Sequence, residues 1–202
     1  MNESIYFDAR VQNGMSYEEF LDTIREKVDA GAGRQKTEND EKLFGYVELN
    51  YSRKTRIAKT YTPSESIRST IESITEPQFW LVITEDWCGD SAQNLPYIVA
   101  LSELNPLITL RIIQRDANLD IMDMYLTNGS RSIPKLVAFS DNGTELFQWG
   151  PRPQAAMDLV KKAKDAGETS SEFIPKVHSW YALNKGASLE EEFANLLSNQ
   201  SR

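Results

Sequence analysis

Apolar residues recur with helical spacing through the first third of the chain. Between residues 17 and 28 they stand every three or four positions, and Ser16 with Glu19 forms a capping-box pattern before them. Gly31 and Gly33 are the predicted stop of this helix. A second helical pattern follows the polar residues 36–41, and a third begins after Ser64, which can cap it. The pattern therefore predicts three helices before residue 76.

The periodicity changes at residue 79. Residues 79–83 form a continuous apolar run of strand length, which is typical of a strand buried on both faces of a sheet. Asp141, Asn142 and Gly143 predict the tight turn of a hairpin. The other predicted elements are helices at 91–104, 118–126, 154–166, 171–183 and 188–197, and strands at 107–113, 134–139 and 145–149.

This order of elements predicts an α/β fold. Helices between the first strands imply parallel pairing, because a crossover is needed to return the chain to the same end of the sheet. The hairpin adds an antiparallel edge. The prediction is a small mixed central sheet with helices on both faces.

Composition and charge narrow the functions open to the chain. Its 202 residues carry a net charge of −8, with one cysteine, Cys88, and one histidine, His178. These counts exclude an intrachain disulfide framework and speak against a zinc site, and we expect His178 to have a packing or surface role. The acidic balance argues against nucleic acid as a partner. Without a long apolar run or a signal-peptide pattern, the expected location is cytoplasmic, with no membrane partner.

Cys88 follows the first predicted strand and stands in the first turn of the next helix. Unpaired backbone N–H groups and the positive end of the helix dipole lower the pKa of a thiol in that place. Glu85, Asp86 and Asp90, expected in a solvated loop, oppose this effect because nearby negative charge disfavours a thiolate. The position predicts an exposed thiol that is functional or formerly functional, rather than an inert core residue.

The residues around Cys88 resemble a motif of the thioredoxin superfamily. The run Trp87, Cys88, Gly89, Asp90 and Ser91 is similar to W-C-G-x-C, with serine at the second cysteine. Further residues match that superfamily in spacing: Pro96 as the kinking proline of the active-site helix, Ile133 with Pro134 as the cis-proline loop, and Asn142, Gly143 and Gly150 at the terminal hairpin.

The resemblance covers about residues 76–166 and implies a thioredoxin fold there. Residues 1–75 are then a helical extension packed on the core, and residues 167–202 are a C-terminal helical tail. Chains with such additions resemble the extended bacterial thioredoxin-like proteins.

Two departures from the superfamily limit the chemistry that the resemblance implies. In a thioredoxin the first thiolate attacks a disulfide and the second cysteine releases the mixed disulfide. Ser91 stands in that second position, and Val82 stands where the superfamily has a buried acid, so an intramolecular dithiol cycle is impossible. Arg131 and Lys135, close to Pro134, are expected to offset part of the negative charge around Cys88.

The resemblance assigns roles to seven residues. Cys88 is the expected nucleophile and Ser91 its hydrogen-bond partner. The expected docking edge for a substrate, with main-chain hydrogen bonds to an extended peptide or to glutathione, consists of Trp87, Gly89, Asp90, Ile133 and Pro134. Neither a metal nor a resident cofactor is implied.

Three functions remain open from the sequence. The first is a monothiol thiol–disulfide oxidoreductase whose partner is a disulfide- or thiol-containing protein or small thiol, with glutathione or another small thiol as co-substrate. The second is a redox-inactive adaptor of thioredoxin fold, in which the basic stretch of Arg53, Lys54, Arg56 and Lys59 contributes a partner surface. The third rests on similarity to the C-G-F-S motif of monothiol glutaredoxins, which carry a shared [2Fe–2S] cluster.

Overall fold

The computed structural model describes residues 4–31 and 37–199, so Gly33 lies outside the described residues. A 3₁₀ turn at Ile5–Phe7 precedes the first helix. The helices are α1 Ala9–Gln12, α2 Tyr17–Asp29, α3 Glu38–Thr60, α4 Glu65–Glu72, α5 Gly89–Ser102, α6 Leu119–Met122, α7 Gln154–Asp165, α8 Ser170–Asn184 and α9 Ala187–Ser198. The strands are β1 Gln78–Thr84, β2 Ile108–Gln114, β3 Lys135–Ser140 and β4 Glu145–Trp149.

Local sequence signals account for most of these boundaries. The capping box of Ser16 and Glu19 begins α2, and the Ser64 side chain accepts a hydrogen bond from the backbone of Ile67 at the start of α4. The predicted helix at 118–126 is wrong in length, since α6 ends at Met122 and the chain then turns at Asn128 with a φ of 51°.

The four strands form one mixed sheet in the order β2-β1-β3-β4. β1 pairs in parallel with β2 and antiparallel with β3, and β3 pairs antiparallel with β4. The parallel first pair and the antiparallel hairpin confirm the predicted α/β class. β3 runs against β1 because the connection after β2 contains only the four-residue α6 and does not return the chain along the sheet. The end of β1 and the start of β3 therefore meet at one edge of the sheet.

Two hydrophobic cores lie on opposite faces of the sheet. Side chains of β1 alternate between them, with Trp80 and Val82 in one core and Leu81 and Ile83 in the other. The first core is covered by α2, α3, α4, α5 and α9, and the second by the N-terminal turn, α1 and α6. All seven residues of β1 are buried, as the continuous apolar run predicts.

The C-terminal helices are fixed to the rest of the chain by carboxylates of α9. Glu190 accepts hydrogen bonds from the Tyr61 hydroxyl at 2.5 Å and the Ser64 amide at 3.2 Å. Glu192 accepts from the Trp149 indole at 2.7 Å and the Gln154 amide at 2.6 Å. Among residues 4–31 and 37–199, none of the helices has the combined length and apolar character that a membrane crossing requires.

Gly150 is required where β4 ends against the start of β3. Its φ is +111°, and a Cβ built at this residue would lie 2.2 Å from the carbonyl oxygen of Pro134. A side chain there would push the hairpin away from the sheet edge that carries Pro134. The glycine therefore fixes the distance between the hairpin and that edge.

We expect Gly150→Ala to lower the free energy of unfolding by about 3 kcal/mol, because strain at a positive φ adds to the clash with backbone. Gly129→Ala is the matched control, since Gly129 also has a positive φ of 74° but a Cβ there meets nothing within 4 Å. We expect that control to lose about 1 kcal/mol. Urea unfolding of both variants measures the difference, and equal losses would contradict the steric argument.

Candidate functional site

Cys88 is the residue that links the end of β1 to the start of α5. It is the N-cap of α5, one residue before the predicted first turn, and the Ser91 amide donates to its Sγ at 3.4 Å. The Cys88 thiol donates to the carbonyl oxygen of Ile133 at 3.4 Å, and the Ile133–Pro134 peptide bond is cis. The side chain is 7% exposed, so the expectation of an exposed thiol is wrong, because the proline loop packs over the sulfur. The structure thus brings the cysteine, the helix N-terminus and the proline loop together.

Ser91 is fully buried beneath Cys88. Its hydroxyl hydrogen-bonds to the hydroxyl of Thr84, the last residue of β1, while its amide points at the cysteine sulfur. The position that holds a second cysteine in the superfamily is therefore part of the junction between β1 and α5.

The expected docking edge is only partly accessible. Ile133 and Pro134 are buried, and Trp87 is half-buried, with the Arg115 guanidinium 4.9 Å from the centre of its ring. Gly89 faces α8, since a Cβ built on it would lie 3.5 Å from Cε1 of His178. Sequence reasoning placed His178 in a surface or packing role, and the structure places it beside the cysteine motif.

Asp90 is held within the protein by residues distant in sequence. Arg152 binds its carboxylate through Nε at 2.7 Å and Nη2 at 2.5 Å, and the Tyr181 hydroxyl donates to it at 3.0 Å. Asn94 donates to the Asp90 carbonyl at 2.8 Å and to the Tyr181 hydroxyl at 3.0 Å. We call Asp90, Arg152 and Tyr181 the Asp90 clamp, which joins α5 to α8.

The two acids before Trp87 do not lie in a solvated loop, which corrects that expectation. Glu85 and Asp86 are each 5% exposed. Glu85 accepts a hydrogen bond from the Asp116 amide at 2.7 Å, and burial raises the pKa of its carboxyl group. Asp86 pairs with Lys27 of α2 at 2.5 Å. Both acids are structural partners that fix the loop before Cys88.

Lys54 is a functional candidate that sequence reasoning missed. The basic stretch on α3 was expected to contribute a partner surface, but Lys54 is fully buried and cannot be part of one. Its Nζ lies 3.5 Å from the carbonyl oxygen of Asp86 and 5.5 Å from the centre of the Phe20 ring. A usable signal was present, because Lys54 shares the apolar stripe of α3 with Val47 and Ile57.

The cations expected to offset the acids have other partners. Arg131 pairs with Asp123 at 2.6 Å on the surface. Burial lowers the pKa of Lys135, and the charge of Glu145 partly opposes that effect. The positive groups that interact with the charge of Cys88 are Lys54 and Arg152.

Burial dominates the protonation of the thiol. It raises the pKa of Cys88 above the ordinary value, the charge of Asp90 raises it further, and hydrogen bonding by Ser91 opposes both effects. Burial also lowers the pKa of Lys54 to about 8, while the charges of Cys88 and Asp86 favour its ammonium form. For His178, burial and the charge of Arg53 lower the pKa. Near neutral pH the thiol therefore rests in its protonated form.

The part of the chain that the structure describes has no cluster of three His, Cys, Asp or Glu residues able to hold a metal ion. The polar partners of the Cys88 sulfur are instead the Ser91 amide and the Ile133 carbonyl, while Lys54, Asp90 and Arg152 act through their charges. These groups can bind and orient a sulfur and control its charge.

The chain is similar to a known protein family and to two solved structures. The family model Thioredoxin_9, described as Thioredoxin, matches residues 36–164. No curated protein matches the sequence. The solved structures of similar shape include an HIV epitope-scaffold, with a TM-score of 0.54 and 19% identity, over 92% of this chain and 99% of the scaffold. A protein of unknown function from Pseudomonas aeruginosa, PA1234, has a TM-score of 0.48 and 22% identity, over 86% of this chain and 99% of its own.

The Asp90 clamp predicts an unequal cost for two arginine substitutions. Arg152→Met leaves the mostly buried Asp90 carboxylate without its cation, and we expect a loss of about 2 kcal/mol in the free energy of unfolding. Arg131→Met is the control, because Arg131 and Asp123 form an exposed ion pair that contributes little. Chemical denaturation compares the two, and equal stability of both variants would mean that the clamp does not stabilise the fold.

Proposed function

The chain belongs to the Thioredoxin_9 family of the thioredoxin superfamily, and on that premise we propose that it is a monothiol thiol–disulfide exchange protein. Cys88 is the nucleophile in this proposal. The substrate is a disulfide- or thiol-containing protein or a small thiol compound. An external thiol such as glutathione completes the cycle, because Cys88 is the only cysteine in the sequence.

The observation that carries this proposal is the position of Cys88 at the N-cap of α5. The sulfur accepts a backbone hydrogen bond from Ser91 at 3.4 Å and lies against the Ile133 carbonyl beside the cis Pro134. An N-terminal amide stabilises negative charge on sulfur. In this proposal a substrate approaches the docking edge, which consists of this proline loop and the partly buried residues Trp87, Gly89 and Asp90.

Two exchange steps make up the proposed cycle. The Cys88 thiolate attacks one sulfur of a disulfide R–S–S–R, forms a Cys88–S–S–R mixed disulfide and releases RS⁻. An external thiolate then attacks the sulfur of the R group, forms a new disulfide with it and releases the Cys88 thiolate. Ser91 takes no part in the electron flow and holds the Cys88 sulfur through its amide.

A second candidate, a binding module without redox turnover, is favoured by the burial of Cys88. The thiol is 7% exposed, and burial raises its pKa, so little thiolate forms near neutral pH. The Asp90 clamp and the bond from Cys88 to the Ile133 carbonyl also satisfy the motif internally. In this case partner binding would persist without the sulfur.

Incubation with glutathione disulfide separates the two functions. We expect a mixed disulfide on Cys88, detected by mass spectrometry and removed by a dithiol, that forms faster as the pH rises from about 7 to 9. The sign follows from the raised thiol pKa, since the reactive thiolate increases with pH up to that pKa. Cys88→Ser is the control and should form no adduct. If the wild-type protein forms no adduct across this range, the binding module is the better description.

A further inference from the structure

Lys54 occupies the inward face of α3 under the cysteine motif. Val47, Asn50, Lys54 and Ile57 recur at the spacing of one helical stripe, and all four side chains are buried. Val47 and Ile57 belong to the hydrophobic core. The two polar members of the stripe instead meet the turn that leads into α5. Asn50 and Lys54 place their side-chain nitrogens 3.4 Å and 3.5 Å from the Asp86 carbonyl oxygen.

The Lys54 amine lacks a carboxylate partner. Among the described side chains, which leave out those of residues 38–40 and 42, its only hydrogen bond is the one to the Asp86 carbonyl, and no carboxylate oxygen lies within 4.0 Å of it. The carboxylate of Asp86 is directed to Lys27, which binds it at 2.5 Å. A fully buried ammonium group without a paired anion is costly, so an anion nearby would lower the free energy of this site.

The sulfur of Cys88 is the group that can supply that negative charge. Cys88 follows the Asp86 carbonyl by two residues, so the turn that Lys54 contacts also carries the sulfur, and a negative charge on Cys88 raises the pKa of Lys54. Val82 stands where the superfamily has a buried acid, and it cannot supply a negative charge because its side chain is apolar. Deprotonation of Cys88 would give the buried ammonium an anion and the buried thiolate a cation.

We propose that Lys54 is a positioning residue that holds a positive charge beside Cys88 and thereby stabilises its thiolate. The thiol proton passes to water, and Lys54 keeps its own proton below a pH of about 8, the value to which burial lowers its pKa. The value of this device to the cell rests on the proposed exchange function, but the coupling of the two groups is a property of the reduced protein.

Other charged groups face the same pair and must be considered in any pH profile. The Asp90 carboxylate opposes the thiolate, and Arg152 offsets Asp90. Asp86 and Lys27 form an ion pair on the side of α2. His178 faces Gly89 from α8 and interacts with Arg53 of α3. These groups are unchanged by a substitution at Lys54, so the comparison of variants isolates its contribution.

The test measures Cys88 alkylation as a function of pH in reduced wild-type, Lys54→Met and Lys59→Met proteins. Lys59 is exposed on the same helix, so its substitution controls for net charge. We expect Lys54→Met to slow alkylation about tenfold near pH 7, where Lys54 is charged, and we expect the two profiles to converge well above pH 8, where Lys54 has lost its proton. Lys59→Met should follow the wild type. Identical profiles for Lys54→Met and Lys59→Met would overturn the proposal.

A reciprocal measurement keeps the proposal falsifiable if Lys54→Met does not fold. The Lys54 amine is titrated by NMR in the wild type and in Cys88→Ala. Coupling requires that loss of the sulfur lowers the Lys54 pKa, because each group favours the charged form of the other. An unchanged Lys54 titration would overturn the proposal. Coupling without any glutathione adduct would support the role of Lys54 while contradicting the exchange function.

Discussion

The carbonyl group of Asp86 accepts hydrogen bonds from two side chains of α3, and the position of Cys88 depends on these contacts. Asn50 and Lys54 approach its oxygen at 3.4 Å and 3.5 Å, while Lys27 binds the carboxylate of the same residue at 2.5 Å. Glu85 is bound by the Asp116 amide after β2. These contacts fix the turn between β1 and α5 from three directions. Cys88, two residues after Asp86, is thereby fixed as the N-cap of α5.

Residues outside the segment that matches the family complete this site. The match spans residues 36–164, yet Lys27 precedes it, and His178 and Tyr181 follow it. Tyr181 closes the Asp90 clamp, and His178 faces Gly89. The helical additions therefore do more than enlarge the first core, because they fix the motif and limit access to the thiol. Burial on this scale raises the pKa of Cys88, while the N-terminal amides of α5 act in the opposite direction.

Features encoded by neighbouring residues could be predicted from the sequence, whereas partners distant along the chain could not. The capping box at Ser16, the hairpin turn at Gly143 and the buried strand β1 each follow from a short pattern. The position of Cys88 between a strand and a helix was also predictable. The pairing of Asp90 with Arg152 joins residues 62 positions apart and leaves no local pattern. Burial of Lys54 was missed because it was grouped with its basic neighbours in one partner surface.

A buried cation near the thiol affects both steps of the proposed exchange cycle, the attack by Cys88 and its later release. A buried ammonium and a buried thiolate are each unfavourable alone, and together each reduces the cost of the other, so their titration belongs to the pair. A mixed disulfide carries no charge on the Cys88 sulfur and cannot relieve Lys54. On the proposed role of Lys54, the same positive charge that favours attack also favours departure of the Cys88 thiolate when an external thiol resolves the mixed disulfide. A protein with serine at position 91 depends on that release, because no second cysteine can drive it from within.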